Sequence, residues 1–455
     1  MSEKTVTRRK FVGTAAATAG WCLTAGPARA QEGSGENPPL PETTDPNEPI
    51  GVARGIHPGR VVWSHAPEAT KWEGPGQGHW WESRHTDQAV VDRMISRVVR
   101  ELAGEESDTA AWDRIFRYFN QACGQGDVGY RPGKKIAVKV NFVGFIWHWD
   151  SVDSESFALK NRKDYMNTSP QMILALLRQL VKKVGVKETD LVVGDTLAYF
   201  PDEYFKMLYA EFPKVQYVDH EGQPLRVAAR PSSVPLYWSC RPEQCRQDYV
   251  PTCFAEADYL INLANLKSHT GAGVTLCAKN HYGSLVRWPA EKGYYDMHKS
   301  AFGPGMGKYR NLVDLLGHAH FGGKTLLNLI DGLYGGRHPI DKAPMKWKSS
   351  PFDGHWSSSL LASQDPVAID SVALDFLRAE WSDYPHKFGA EDYLHEAAQA
   401  DDPGSGTFYD PNHPGDEQRL ASLGVHEHWN NAQDKKYSRN LATGDGIELV
   451  AVGPG

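Results

Sequence analysis

The chain has 455 residues, 49 Lys and Arg against 56 Asp and Glu, and a formal net charge of −7. That acidic balance excludes the basic footprint of a protein that binds nucleic acid in bulk. The length suits two or three domains at about 150 residues each, and no apolar run beyond the N-terminal segment reaches the ~20 residues of a membrane span.

The first 30 residues read as an address. Thr7-Arg8-Arg9-Lys10-Phe11-Val12 resembles a twin-arginine export signal, a weakly apolar stretch runs to Thr24, and Ala28-Arg29-Ala30 has the small-x-small form of a cleavage site. A signal peptide is therefore expected over 1–30, with the twin-arginine translocase as partner during export and a periplasmic or extracellular mature chain from Gln31. That route carries folded proteins, so it admits a metal or cofactor loaded in the cytoplasm. Residues 31–58 are rich in Pro, Gly, Glu and Asn and read as a linker or extended arm, leaving 59–455 as the folded part.

Within that part, "WEGPGQGHWWESRH" at 72–85 reads as a packed surface loop, and helical spacing predicts helices over 88–102 and 110–123. Strand and helix then alternate. Strands are expected at 135–142, 190–195, 215–218, 258–263, 325–330 and around Leu360-Leu361. Helices are expected at 169–183, 201–212, 309–320 and after Asp365-Pro366, where the Asp reads as a cap. This alternation predicts an α/β fold with largely parallel sheets, flanking helices, and two lobes with a cleft at the strand C-terminal ends.

Setting aside Cys22, five cysteines remain. Cys240, Cys245 and Cys253 suit one disulfide in an oxidising compartment, and alternatively a metal. Their C-x4-C-x7-C spacing matches no ferredoxin run, so an intrinsic ferredoxin cluster is not expected. Cys277 reads as a buried, inert thiol. His318 and His320 read as positive charge at a helix C-terminus, and His426-x-His428 is left without an assignment.

Polar residues gather at the strand ends. Asn141, Asp195 and Asp331 each close a strand, Asn262 lies within another, and Lys267 and His269 follow it. If the strands are parallel these residues share one edge, where open α/β sheets bind ligands. Each Asp is equally suited to capping a helix. Lys267, His269, Lys279 and His281 flank a turn containing Gly271 and Gly273, whose N–H groups would form an anion-binding concavity. A small carboxylate or phosphate is the natural guest. Asn280 joins the set as a ligand-binding candidate, and His281 alone reads better as a structural imidazole.

The stretches "IAVKVNFV", "VVVGD", "DYLINLANLKSHTGAGVTLCAKNHYG", "LLNLIDG" and "LLASQDPVAIDSVALDFL" together resemble the domain-of-unknown-function 362 family, over roughly 130–430. The resemblance implies no particular activity; some members are associated with iron–sulfur modules. Over about twenty residues, His269 and Lys279 also have the ten-residue spacing of the nickel-pincer lactate racemases. That similarity implies His269 as a base and Lys279 as a cofactor anchor, with His298 matching a further histidine. The chain departs from it at Thr275-Leu276-Cys277-Ala278, where the racemases have Ser-Gly-Gly.

Two function classes follow. One is an enzyme, isomerase-like, racemase-like or redox-associated, with His269, Lys267 and Lys279 at its centre. The other is a non-catalytic exported protein that captures an anion, a metal or a cofactor.

Overall fold

Parallel strands covered on both faces read as continuous apolar runs. The central strands have that character, being buried throughout at Ile136–Lys139, Leu191–Gly194 and Tyr259–His269. The computed structural model describes residues 46–222, 224–239, 248–285, 305–337, 343–384, 387 and 389–453, and joins these strands in one ten-stranded sheet.

In chain order, β1 (Ile50–Gly51) precedes β2 (Arg60–His65) and two amphipathic helices, α1 (Gln88–Ala103) and α2 (Asp108–Ala122). Strand–helix–strand units follow: β3 (Ile136–Lys139), α3 (Pro170–Gln179), β4 (Leu191–Gly194), α4 (Asp202–Tyr209) and β5 (Gln216–Asp219). β6 (Val227–Ala228) ends the sheet, and β7 (Pro231–Leu236) and β8 (Asp248–Pro251) pair separately before α5 (Thr252–Ala255). β9 (Tyr259–His269) turns back as β10 (Gly273–Thr275) and leads to α6 (Cys277–Asn280), α7 (Arg310–Gly317) and β11 (Thr325–Gly336). The chain continues through β12 (Ser359–Ser363), α8 (Pro366–Glu380), α9 (Glu391–Ala398), β13 (Val425–His426), α10 (Ser438–Leu441) and β14 (Glu448–Val452).

The strand order is β14-β2-β12-β11-β9-β3-β4-β5-β6, with β10 paired to β9. β11, β9, β3, β4 and β5 are mutually parallel, so their C-terminal ends share one edge. β12 is antiparallel to both β11 and β2. The two-residue period of a strand divides β9 between two cores. Tyr259, Ile261 and Leu263 join the core of α1 to α4, while Leu260, Ala264 and Leu266 join that of α6 to α9.

Local chemistry sets the helix starts. Asp87 accepts from the N–H groups of Ala89 and Val90, Ser169 from Met172, and Asp365 from Val367 and Ala368, each satisfying otherwise unpaired first-turn donors. α3 ends in a single π-helical stretch, Leu180–Val184, before Gly185 at φ 83°.

The structure corrects several expectations. β9 and β11 run well past their expected ends because the sheet buries both, so Asp331 lies inside β11 rather than at its terminus. The 72–85 segment is a packed loop whose tip, residues 75–77, is exposed, while Trp72 and Trp80 are 2% and 1% exposed and pack with Trp356 and Tyr334. α7 stops at Gly317, and burial pushes His318 down to about 4, so it is neutral and donates from Nε2 to Pro235 O rather than lending charge to the helix end. The described residues fall in one compact unit built around the ten-stranded sheet, with the β1–β13 and β7–β8 pairs beside it. The expected signal peptide lies outside the described residues, and the arm is described from residue 46, with β1 paired to β13.

Candidate functional site

The parallel edge gathers a buried polar network from β3, β4, β9, β11 and α6. Lys139, the last residue of β3, has no exposed surface. Its Nζ donates to Val140 O, to Asp195 Oδ2 at 3.1 Å and to Asn280 Oδ1 at 3.1 Å. Asn280 Oδ1 also accepts from Asn141 Nδ2 at 3.1 Å, and Asn141 Oδ1 accepts from Lys267 Nζ at 2.9 Å. Lys267 donates its other bond to Met166 O. Side-chain parity puts Lys139 and Lys267 on opposite faces of the sheet, so the chain Lys267–Asn141–Asn280–Lys139–Asp195 passes around its edge.

Among the described residues Lys267 has only neutral oxygens as hydrogen-bond partners, although it is fully buried. Burial holds its amine well below the ordinary lysine range; the charge of Lys279 pushes the same way, while Asp195 and Asp331 oppose. Lys139 is lowered by burial and partly restored by Asp195. Lys279 stands with its Nζ 4.8 Å from the Tyr282 ring centre, a cation–π distance. His269 and Lys279 keep 9% and 8% of their surface, so they are the members nearest solvent.

Asp331 accepts from Ser169 N at 2.7 Å and Leu333 N at 3.0 Å, which fixes the start of α3 beside Lys267, and burial raises its carboxyl. Here β11 bulges. Asp331 pairs with Asn265 and Gly336 with Lys267, so β11 uses five residues where β9 uses two. A Cβ at Gly336, beside the bulge, would lie 2.6 Å from Met166 Sδ, so a larger residue there requires the Met166 side chain to shift.

The turn behaves differently from its sequence-based expectation. Gly273 has φ 76°, a conformation costly for other residues, whereas Gly271 is not in that region. The N–H groups of Gly271 and Ala272 both donate to His269 Nδ1 at 3.1 Å, so they orient the imidazole instead of cradling an anion. With Nδ1 accepting, a neutral ring carries its proton on Nε2 and can donate from there.

His281 is buried and pushed down to about 3 by burial, so it is neutral. Its Nε2 accepts from Asn262 Nδ2 at 3.1 Å, while Nδ1 has no hydrogen-bond partner among the described residues. The buried oxygens Asn265 Oδ1, Ser268 Oγ, Thr275 Oγ1 and Ser284 Oγ share that condition. Such groups are rare in folded interiors, and these five fall between Asn262 and Ser284.

Several contributors escape a sequence reading. Lys139 looks like an ordinary surface lysine in an alternating strand; that its strand is apolar on both sides is the one available signal. Asp370 on α8 accepts from the N–H groups of Cys277 and Ala278 at 2.8 and 3.0 Å and from Tyr393 at 3.0 Å. It thereby anchors the short helix bearing Lys279 and Asn280, and nothing in its surroundings in sequence indicates this. Cys277 is buried with its thiol raised well above the usual range, an inert group. Cys253 is a free thiol pushed up to about 12 by burial. Cys240, Cys245 and His298 lie outside the described residues.

Residues 156–375, a little under half of the chain, match the family described as Domain of unknown function (DUF362). The chain carries a DUF362 domain. The match is narrower than the 130–430 suggested by sequence motifs. The DUF362 segment supplies Asp195, Lys267, His269, Lys279, Asn280 and Asp331, while Lys139 and Asn141 precede it. No curated protein matches this sequence.

Proposed function

We propose that the strand-end network of this DUF362 protein binds a small carboxylate or phosphate ester and moves a proton on it. The observation that carries the reading is Lys267: an amine with no exposed surface, hydrogen-bonded among the described residues to neutral oxygens alone, with Lys139 and Lys279 nearby. Such an amine gains a proton readily only when an anion joins it, and without its proton it is a base. As a neutral amine it still makes both its hydrogen bonds and keeps a lone pair. Lys267 rather than His269 is therefore the base, taking a proton from carbon next to the anionic group. His269 Nε2–H and Lys279 stabilise the charge that develops. Asp331 and Asp195 hold α3 and Lys139 in place. The unpartnered polar atoms between Asn262 and Ser284 are further support, as a bound ligand or water would satisfy them.

The chain is further proposed to be an exported protein that uses the twin-arginine route, on the strength of Arg8-Arg9 and Ala28-Arg29-Ala30. Conversion of both arginines to lysine is then expected to trap an unprocessed precursor.

The enzymatic proposal is tested by incubating the protein in D2O with a panel of 2-hydroxy and 2-amino acids and phosphate esters. Deuterium entering next to the carboxylate or phosphoester carbon, and its loss in Lys267→Met, is the expected result. Binding that raises the melting temperature with no deuterium entry across the panel would favour the non-catalytic binding protein.

A further inference from the structure

A second cluster lies in the C-terminal part of the chain. On α9, Glu391 and His395 are four residues apart and share a helix face. His426 and His428 are two apart on an extended segment and share a strand face. The two faces meet. The ring centres of His395 and His426 lie 4.7 Å apart and those of His426 and His428 4.9 Å. One ligand atom from each of Glu391, His426 and His428 falls within 4.8 Å of the others, and His395 Nε2 is 3.9 Å from Glu391 Oε1. A cavity of about 50 Å³, bordered by Glu48, Ile50 and Glu427, opens on the three histidines.

The hydrogen bonds decide which nitrogens face inward. Ser371 Oγ donates its only proton to Val367 O at 2.7 Å, so at 2.8 Å it accepts from His426 Nδ1. His426 Nε2 is then a bare lone pair, buried and without a hydrogen-bond partner among the described residues. His428 Nδ1 donates likewise, to Asp375 Oδ1 at 2.7 Å, but its Nε2 shares a proton with Glu391 Oε1 at 2.9 Å, a proton that a bound cation would replace. A ring nitrogen held by an oxygen while the other is presented is how proteins orient metal-binding imidazoles. Arg378 Nη1 donates to Glu391 Oε2 at 2.6 Å, leaving Oε1 as the inward oxygen, and lies 3.3 Å from His428 Nε2, where its charge competes with an ion.

We propose that Glu391, His426 and His428, with His395 beside them, bind one divalent transition-metal cation of zinc type. Three imidazoles and one carboxylate suit a borderline ion in four-coordinate geometry. Once an ion replaces the proton that His428 shares with Glu391, Asp375 and Glu391 outweigh Arg378 in charge, so the cluster then suits a cation. Because β1 pairs Ile50 with His426, the ion would tie the N-terminal arm to α9 and β13. The site is independent of the strand-end network.

The test is a Co2+ titration of the full-length, untagged protein after EDTA stripping. One equivalent is expected to give visible ligand-field bands that one equivalent of Zn2+ removes, and Zn2+ is expected to raise the melting temperature. His426→Ala should weaken Co2+ binding by about 100-fold or more, given that loss of even a supporting partner costs about 10–100-fold. His395→Ala, at a partly exposed position, should weaken it as well, and Lys267→Met should leave it unchanged. Absence of bands in the unmodified protein, or full affinity in His426→Ala, would overturn the proposal. Should His426→Ala fail to fold, unchanged binding in His395→Ala would overturn the four-donor set.

Discussion

The protein holds two buried polar clusters of opposite character. At the strand ends, Lys139, Lys267 and Lys279 face Asp195 and Asp331 among the described residues, and Lys267 meets no carboxylate directly. In the C-terminal cluster, His428 lies between Asp375 and Glu391, and Arg378 donates to Glu391. A buried charge is tolerated when it is paired and hydrogen-bonded, and otherwise gives up its charge or recruits a partner. The C-terminal cluster has its countercharges built in, so its carboxylates act first on stability. The strand-end cluster lacks one for Lys267, so that lysine acts first on ligand binding. Breaking each cluster should therefore give different phenotypes.

The largest effect is expected from Asp375→Asn. Asp375 accepts from His428 Nδ1 at 2.7 Å, Trp429 N at 3.1 Å and Tyr437 OH at 2.9 Å. Removing its charge leaves His428 and its neighbours unmatched and should cost about 3–5 kcal/mol, read from denaturant unfolding. A loss below 1 kcal/mol would place this cluster with weak surface pairs and dissolve the contrast.

Next comes a pH effect at the helix that carries Lys279. Burial pushes Asp370 up to about 6. Between the unfolded carboxylate value near 4 and that value, the folded state holds a proton the unfolded chain has released. Its contribution to stability therefore falls as pH rises through the window, by ~3 kcal/mol at most. Unfolding curves of the protein and Asp370→Asn across pH 4 to 7 should differ in slope in that sense, an expectation about one carboxyl's contribution. Parallel slopes would remove Asp370 from the account.

Lys267→Met should reduce ligand affinity or turnover by about 100-fold or more, the scale of losing a positioned base, while the melting temperature stays close to that of the unmodified protein. Met fills the same space and removes a buried amine. A fall in stability without loss of binding would mean that Lys267 serves packing, as Asp375 does.

Gly283→Ala should have the smallest effect. A Cβ there lies 3.1 Å from Lys139 Nζ and 3.3 Å from both Asp195 oxygens, so the pair must give slightly. Ligand affinity is expected to drop by about 10-fold, with a stability loss of about 1 kcal/mol; calorimetry reads the first and thermal unfolding the second.

How much of this was readable from sequence differs between the clusters for a physical reason. The parallel α/β core was legible because apolar runs and capped helices recur at short range. The strand ends followed from it, and with them Asn141, Asp195 and Lys267. Lys139 was hidden, since burial on both faces is a property of the sheet rather than of its strand. The role of Gly271 was misread for a similar reason: the spacing shows glycines, but only the folded turn shows their N–H groups bent toward His269. The C-terminal cluster was less accessible still. Glu391-x3-His395 and His426-x-His428 are each commonplace alone, and only the pairing of β13 with β1 and its packing on α9 bring them together.

The most direct measurement is the protonation of Lys267 itself, followed by NMR on lysine-labelled protein with Lys267→Arg for assignment. The Lys267 signal should titrate well below the ordinary lysine value near 10.4, and a bound carboxylate or phosphate ester should move that midpoint upward by stabilising the cation. A Lys267 signal that titrates in the ordinary range and ignores both kinds of ligand would contradict the assignment of this edge of the sheet as an anion site.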